Sequence, residues 1–559
     1  MPASGPCRRI SMIKRILIVG GGSAGWMTAS YLTRALKGVE IALVESANVR
    51  TIGVGEATFS TIKLFFDFLG LSEQEWMPHC SAAYKLAIRF VGWRADRGHF
   101  YHPFQRFESA CGKTAADWWL KLGRGQTRFD YACFTTPSLC DAMRSPRYLD
   151  GTVFDDEVLE FYRDGTPPPN TVIAGHQVQY PYAYHFNAAE LATFLQGYAV
   201  ERGVTRIVDD VVEVPLREDG AIASIRTREH GSLEADLYVD CTGFRGLLVN
   251  QALGEPFVSF GDVLLNDSAV AIQVPRDIQR DGIRPYTTAH AHNAGWSWNI
   301  PLYGRDGTGY VYSSQFIDKD EAEREFREFL GPAAKDCTAN HIKMRIGRCQ
   351  NAWVKNCVAI GLSGGFVEPL ESTGIFFIQH AIEELVNHLP PAEPDPGLIT
   401  SYNATIGACI DGVKDFLTVH YFASDRVDTP FWRATKQVEP REWLRERMRV
   451  WKARLPEPRS IYPAFHGFES YSWAVMLLGV NHQPVSYAPV LDHLDEAQAH
   501  TMFRRIRERS ERLVATLPSQ YEYLTHMRGF RSGPRERAGY DARSGRERVV
   551  LTRGHAKVE

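Results

Sequence analysis

The chain has little that would tie it to a metal, a membrane or a nucleic acid. Its ten cysteines, at positions 7, 80, 111, 133, 140, 241, 337, 349, 357 and 409, form no C-x-x-C, so their spacing suggests neither a zinc site nor a disulfide framework and fits reduced thiols in a cytoplasm. It has no excess of either charge. The 63 Lys+Arg against 66 Asp+Glu leave a net charge of −3, and no long-range field draws it onto nucleic acid or an anionic membrane, so small-molecule partners are expected. No apolar run approaches the roughly 18 residues of a spanning helix, and the opening MPASGPCRRIS lacks the apolar stretch of a signal peptide. What is present is a large apolar complement, 44% of 559 residues with 12% aromatic, which excludes a disordered, collagen-like or small disulfide-stapled protein and assures a sizeable core.

Periodicity sets the organisation. KRILIVG at 14–20 reads as a buried strand, GGSAGWMTASYLTRAL as the glycine turn and helix after it, and VEIALVES at 39–46 as a second strand, which together make a βαβ unit and a parallel sheet. Residues 60–79 and 113–122 read as helices, and GHFYHPFQRF at 98–107 as an aromatic loop or strand. Strand-like alternation over 205–241 and 268–315 predicts a β-rich substrate layer, followed by a helix at 319–330 and a strand at 357–362. Beyond these, 374–388, 398–418, 440–453 and 494–516 read as helices. The expected organisation is a disordered extension at 1–11, a cofactor-binding module with an interleaved substrate layer at 12–390, a helical substrate-binding subdomain at 391–527, and a disordered tail at 528–559.

The βαβ unit carries G-x-G-x-x-G at Gly20, Gly22 and Gly25, with Glu45 at the end of the second strand. The first glycine permits the turn, the second lets backbone approach a pyrophosphate, the third packs helix on strand, and Glu45 can accept from a ribose. The motif alone does not choose between NAD and FAD. DCTGFRG, from Asp240 to Gly246, is a strand ending in a glycine turn some two hundred residues later, and such a second crossing favours FAD and a Rossmann-like two-layer α/β fold of the aromatic-hydroxylase kind.

Two further strings, GWSWNIP from Gly295 and FVEPLESTG from Phe366 to Gly374, resemble the signatures of flavin-dependent halogenases. With TIGVGEATF at 51–59, AAYKLAIRF at 82–90, FYHPF at 100–104 and LPSQYEYL at 517–524, the resemblance extends from Ile13 to about Arg528, and the chain looks like a tryptophan halogenase. The resemblance implies that reduced FAD and O2 give a flavin hydroperoxide, that chloride or bromide attacks it, and that the resulting HOCl travels to a lysine in a separate substrate pocket. It further implies a separate flavin reductase as the source of FADH2, a biosynthetic role of the antibiotic kind, and a homodimer as the assembly.

Residue by residue, the resemblance makes Lys85 and Glu371 catalytic. An ammonium can polarise HOCl, and a carboxylate can stabilise the ring cation and take its proton. Without it, Lys85 would read as a helix cap or a snorkelling side chain, and Glu368 competes with Glu371. Thr373 and Gly374 are implied to hold the halide through backbone N–H groups, although Ser372-Thr373-Gly374 fits a helix N-cap equally well. Gly20, Gly22, Ser23, Ala24, Gly25, Glu45, Ala57, Val211, Asp240, Gly243, Leu362 and Ile375 are the expected cofactor contacts. His102, Phe104, Glu371, Tyr462, Phe465 and Glu469 are the expected substrate contacts, with Glu469 on the substrate ammonium, while Trp296 and Trp298 shape the channel between the two. Where relatives carry Tyr-Tyr, this chain has Tyr462-Pro463, a departure that bears on free tryptophan as the substrate. The chain is similar to 6-halogenating more than to 7-halogenating enzymes. The competing readings are the same chemistry on another indole or phenol, an NAD(P)H-dependent aromatic monooxygenase, and an inactive cofactor-binding scaffold. Lys85, the two tryptophans and the PLESTG loop are surplus to the second, and retention of Lys85 and Glu371 speaks against the third.

Overall fold

The computed structural model describes residues 13–49, 55–154, 181–390, 395–461 and 467–529, with the backbone of two short strands, Val172–Ile173 and His176–Gln177. The expectations for residues 1–11, for the tail beyond Gly529, and for Tyr462 and Phe465 lie outside the described residues. Arg528 and Gly529 close the last helix, Gln520–Gly529.

From Ile16 on, the run ILIV is apolar and buried because its strand, β1 (Arg15–Val19), is central in a parallel sheet and covered on both faces. α1 (Ser23–Ala35) returns the chain to β2 (Glu40–Glu45), which pairs parallel to β1. The sheet runs Thr205–Val208, β2, β1, Leu237–Asp240, Cys357–Ala359, Trp353–Val354, and only its last pair is antiparallel. The helices Ala188–Val200 and Thr373–His388 both pack on α1.

The second layer is a seven-stranded sheet in the order Ala339–Lys343, Ser268–Pro275, Arg305–Tyr312, Gly295–Pro301, Tyr286–Ala291, Ala87–Val91, His99–Pro103. One pair in it, Tyr286–Ala291 with Ala87–Val91, is parallel. The aromatic stretch at 98–107 is thus an edge strand. A small three-stranded sheet, Gly55–Ala57, Ala183–Asn187 and Ala83–Lys85, lies between the layers in sequence and carries Lys85 at its end.

Helices dominate the C-terminal part. The longest, Pro396–Phe422, starts where Asp395 accepts from the N–H groups of Gly397 at 2.6 Å and Leu398 at 3.2 Å, with proline at the first helical position. Ser470–Gly479 was not anticipated. Its sequence SYSWAVMLLG has no apolar stripe because it is buried all round, and a Cβ on Gly479 would lie 2.3 Å from the Phe100 ring. One continuous buried cluster includes Ile16, Trp93, Phe416, Trp473 and Met527, so these helices share their core with both sheets.

Three boundaries differ from expectation. The helix expected over 60–79 is broken: Gly70, at φ 72°, ends Ile62–Leu69, and a Ser72–Glu75 capping box starts Glu73–Trp76. The strand expected over 357–362 stops at Ala359, where Gly361 turns the chain at φ +79°. The helix expected over 398–418 runs on to Phe422, which brings His420 into it.

Gly20 sits at φ +114°, and a Cβ there would lie 2.3 Å from the Cys241 carbonyl oxygen, whereas a Cβ on Gly22 meets nothing within 4 Å. Gly20→Ala should therefore destabilise the ligand-free protein by about 1–3 kcal/mol, and Gly22→Ala should leave its unfolding midpoint in place while weakening dinucleotide retention. Urea unfolding and a flavin-binding titration of the two variants check this.

Candidate active site

The Cys241 contact shows that the second glycine turn crosses directly over the first. Gly25 brings helix onto strand, since a Cβ there would lie 1.9 Å from the Gly20 carbonyl oxygen, and Gly22 and Gly243 both front open space. Ser23 and Ala24 open α1, a Cβ on Gly361 would lie 2.8 Å from the Ala24 side chain, Leu362 follows in the turn Gly361–Ser363, and Ile375 is buried on the facing helix. Ala57 is buried opposite His185, and Val211 begins the strand just beyond Asp209, whose N–H donates to the Glu45 carbonyl at 2.9 Å. These residues fit a dinucleotide with its pyrophosphate over Gly22.

Two side chains are engaged otherwise than expected. Asp240 is fully buried, and its carboxylate accepts from the Thr242 N–H and hydroxyl at 2.9 and 2.6 Å and from the Leu248 and Val249 N–H groups at 2.9 Å each. It organises the Gly243 turn from beneath and is not itself an open contact. Glu45 accepts from Arg206 Nε at 2.6 Å and Trp26 Nε1 at 3.3 Å, which fixes its carboxylate at the carboxyl end of β2.

Immediately before Thr373–His388 lies the turn that carries Glu371. Glu371 and Ser372 are consecutive left-handed residues, φ 66° and 62°. The double reversal turns Glu371 inward, where its carboxylate meets His102 Nδ1 at 2.8 and 3.0 Å and His420 Nε2 at 3.0 Å. Ser372 stands at the N-cap position but makes no cap bond, because its hydroxyl accepts from Lys85 Nζ at 2.9 Å. The N-cap reading of this serine is thereby replaced. Lys85 is fully buried on a strand, not capping a helix, and donates as well to the Thr58 carbonyl at 3.1 Å, with Nζ 5.1 Å from the Phe104 ring centroid.

Glu368 faces elsewhere. Its Oε2 accepts from Trp296 Nε1 at 2.8 Å, Asn266 Nδ2 at 2.8 Å and the Tyr421 hydroxyl at 2.5 Å. It therefore anchors the first of the two channel tryptophans, whose rings lie 6.3 Å apart on one face of Gly295–Pro301. The Thr373 hydroxyl has no hydrogen-bond partner, and a Cβ on Gly374 meets nothing within 4 Å. An unpartnered hydroxyl, an open glycine and a helix N-terminus suit a small anion.

The electrostatics separate the groups. Burial pushes the Lys85 amine down to about 7, opposed by the charge of Glu371, so ammonium and amine are both accessible at neutral pH. Burial would raise Glu371, but the charge of His102 and the hydrogen bonds of both imidazoles outweigh it and hold the carboxyl at about 2. Burial raises Glu368, against its three hydrogen bonds. Two neighbouring glutamates thus have opposite tendencies, Glu371 lowered and Glu368 raised.

Lys85 lies by the Phe104 ring and His102 by Glu371, among aromatic neighbours. Phe416 stacks on Phe468 at 4.0 Å, and Tyr471 lies 6.2 Å from His102 and donates to the Phe104 carbonyl at 3.5 Å. Glu469 is ion-paired with Arg106 at the start of Ser470–Gly479, so its carboxylate already has a cation. His420, Ser372, Asn266 and Tyr421 were not among the expected site residues. His420 carried no local signal, since only the fold places a residue 49 positions after Glu371 against it.

The family model for tryptophan halogenase matches residues 15–496. The chain belongs to the tryptophan halogenase family. Among curated relatives, this halogenase is 52% identical to tryptophan 6-halogenase SttH of Streptomyces toxytricini over 92% of its own length and 98% of the relative's. It is 53% identical to 7-chloro-L-tryptophan 6-halogenase KtzR of Kutzneria sp. (strain 744) over 92% and 99%, and 40% identical to tryptophan 7-halogenase RebH of Lentzea aerocolonigenes over 92% and 99%. The solved structure of SttH superposes with a TM-score of 0.88, covering 92% of this chain and 99% of that one at 52% identity. A tryptophan C-6 flavin-dependent halogenase (chlorinase) from taromycin biosynthesis superposes at 0.86, covering 92% and 100% at 53% identity. The enzyme is a flavin-dependent halogenase.

The amine of Lys85 is lowered from 10.5 to about 7 on folding, so the unfolded chain binds that proton more tightly, and wild-type stability rises as pH climbs from 7 toward 10. Lys85→Met removes this dependence. Its stability relative to wild type should be greater at pH 7 than at pH 10 by on the order of 3 kcal/mol, read from urea unfolding at both pH values. Equal differences at the two pH values would show that the lysine is not desolvated.

Proposed function

We propose that the enzyme halogenates free L-tryptophan at C6 of the indole, using FADH2 from a separate flavin reductase, O2 and chloride or bromide, in the cytoplasm and as a homodimer. The observation that carries the reading is the buried Lys85–Ser372–Glu371 arrangement, in which the amine donates to the hydroxyl of the residue that follows the lowered carboxylate. The C6 position is supported by the two relatives of about 52% identity whose names state 6-halogenation.

When bound, reduced FAD supplies the electrons with which O2 becomes an oxidant of the halide. The residues then have separable tasks. Thr373 and Gly374 hold the halide at the helix N-terminus, and the buried tryptophans, the first tied to Glu368, keep the arene apart from the flavin. Lys85, as ammonium, donates to the oxygen of the hypohalous acid. The halogen leaves that oxygen for the ring carbon, the oxygen departs as hydroxide and takes the ammonium proton to become water. The ring carbon then loses its proton to Glu371, the C–H electron pair restores aromaticity, and the amine of Lys85 regains a proton. The overall exchange is arene and hypohalous acid to haloarene and water. Phe104 and His102 set the ring plane, and Glu469 recognises the substrate ammonium by exchanging Arg106 for it.

Purified enzyme with FAD, a generic flavin reductase, NADH, NaCl or NaBr and L-tryptophan should give a halide-dependent monohalogenated product by LC–MS, and NMR should place the halogen at C6. A halogen at C5 or C7 refutes the regiochemistry. Turnover of 7-chloro-L-tryptophan in preference to tryptophan refutes the substrate. Lys85→Ala should abolish product while flavin oxidation and peroxide release continue, and Glu371→Gln should lower turnover by about 10²–10⁴-fold. Wild-type turnover in Glu371→Gln would transfer the role to another group.

A further inference from the structure

His420 lies near the end of Pro396–Phe422, fully buried, with both ring nitrogens facing oxygen acceptors. Nδ1 is 2.9 Å from the Phe416 carbonyl oxygen, and Nε2 is 3.0 Å from Glu371 Oε1. A carbonyl oxygen has no proton to give, so Nδ1 carries one. A neutral ring would then turn the lone pair of Nε2 toward a carboxylate oxygen, and two acceptors at 3.0 Å repel. A second proton must lie between Nε2 and Oε1. It belongs either to the imidazole or to the carboxyl.

We propose that this proton resides on Nε2, so that His420 is a standing imidazolium that positions Glu371 and keeps it ionised until it takes the ring proton. The surroundings favour that placement. The ring lies among Phe416, Phe90 and Trp93, with centroids 4.8, 5.5 and 6.2 Å away, an aromatic cage that attracts a cation. The ionisable groups that face the pair are His102, bonded to both Glu371 oxygens, and Lys85, which acts on Glu371 through space. Glu368, just before the turn, and Tyr421, next to His420 on its helix, bond one another. The depressed Glu371 carboxyl agrees with a cation at its side. An anion so stabilised is a weak base, which suffices for a ring cation and releases the proton again after each turnover.

This rests on Glu371 being the carboxylate that serves the ring. The test is the ratio of halogenated tryptophan to flavin oxidised, measured between pH 3.5 and 7, the range into which a carboxyl held near 2 would move, in wild type and in His420→Gln, whose amide can still donate to Oε1 but carries no charge. The ratio in His420→Gln, relative to wild type, should fall as pH drops, its acid limb standing about 1–3 pH units higher than in wild type. A relative ratio that is constant across the range, whether equal to wild type or uniformly reduced, overturns the proposal, because a merely structural histidine would lose activity equally at every pH. Should His420→Gln fail to fold, the wild-type enzyme labelled with ¹⁵N-histidine decides the matter. An imidazolium signal that persists at pH 8, is retained in His102→Asn and vanishes in Glu371→Gln sustains the proposal, and its absence at pH 8, its loss in His102→Asn or its survival in Glu371→Gln refutes it. Full turnover by Glu371→Gln would instead sink the base role of Glu371 and leave the NMR result standing.

Discussion

The structure depends on holding an ionised carboxylate and an amine out of water a few ångströms from an aromatic pocket. A buried carboxylate is tolerated only where donors replace its hydration, and Glu371 has two imidazoles on its oxygens. Those imidazoles come from the edge of the seven-stranded sheet and from the longest helix, so the carboxylate links the two. Lys85 has no such compensation. With one serine hydroxyl and one carbonyl as its acceptors, the amine gives up much of its proton affinity.

Backbone strain is part of the same arrangement. Two successive non-glycine residues in the left-handed region cost about 1–3 kcal/mol each, and they persist at Glu371 and Ser372 because both side chains are fixed by strong partners. The turn also decides which of two glutamates three residues apart does which task. Glu368, one turn earlier, is taken by Trp296, Asn266 and Tyr421, and so braces the wall between the two reaction spaces.

The cofactor end obeys a different constraint, close approach of backbone. Gly20 beneath the Cys241 carbonyl, Gly25 against Gly20 and the Asp240 carboxylate gripping its own turn leave a shallow cleft floored by peptide groups. The helix Thr373–His388 joins the two regions: Ile378 faces Gly361, and its first residue follows the Glu371–Ser372 turn.

The local pattern of the sequence determined much of this. The βαβ unit, the two glycine turns, the strand-rich layer, most of the long helices and the family were all legible, because each is set by short-range spacing or by an unusual string such as GWSWNIP. The same strings pointed to Lys85, Glu371, Thr373 and Gly374. Tertiary structure alone decided what those residues touch. Ser372 reads as a helix cap until Lys85 takes its hydroxyl, Asp240 reads as a cofactor ligand until four local donors fill it, and Glu469 reads as free until Arg106 pairs with it. His420 has no signature of its own, and the buried helix Ser470–Gly479 has no periodicity, since a residue surrounded on every side leaves no pattern along the chain. Spacing along the sequence fixes which elements form, and the desolvation of charge, which depends on every layer at once, fixes the chemistry that they share.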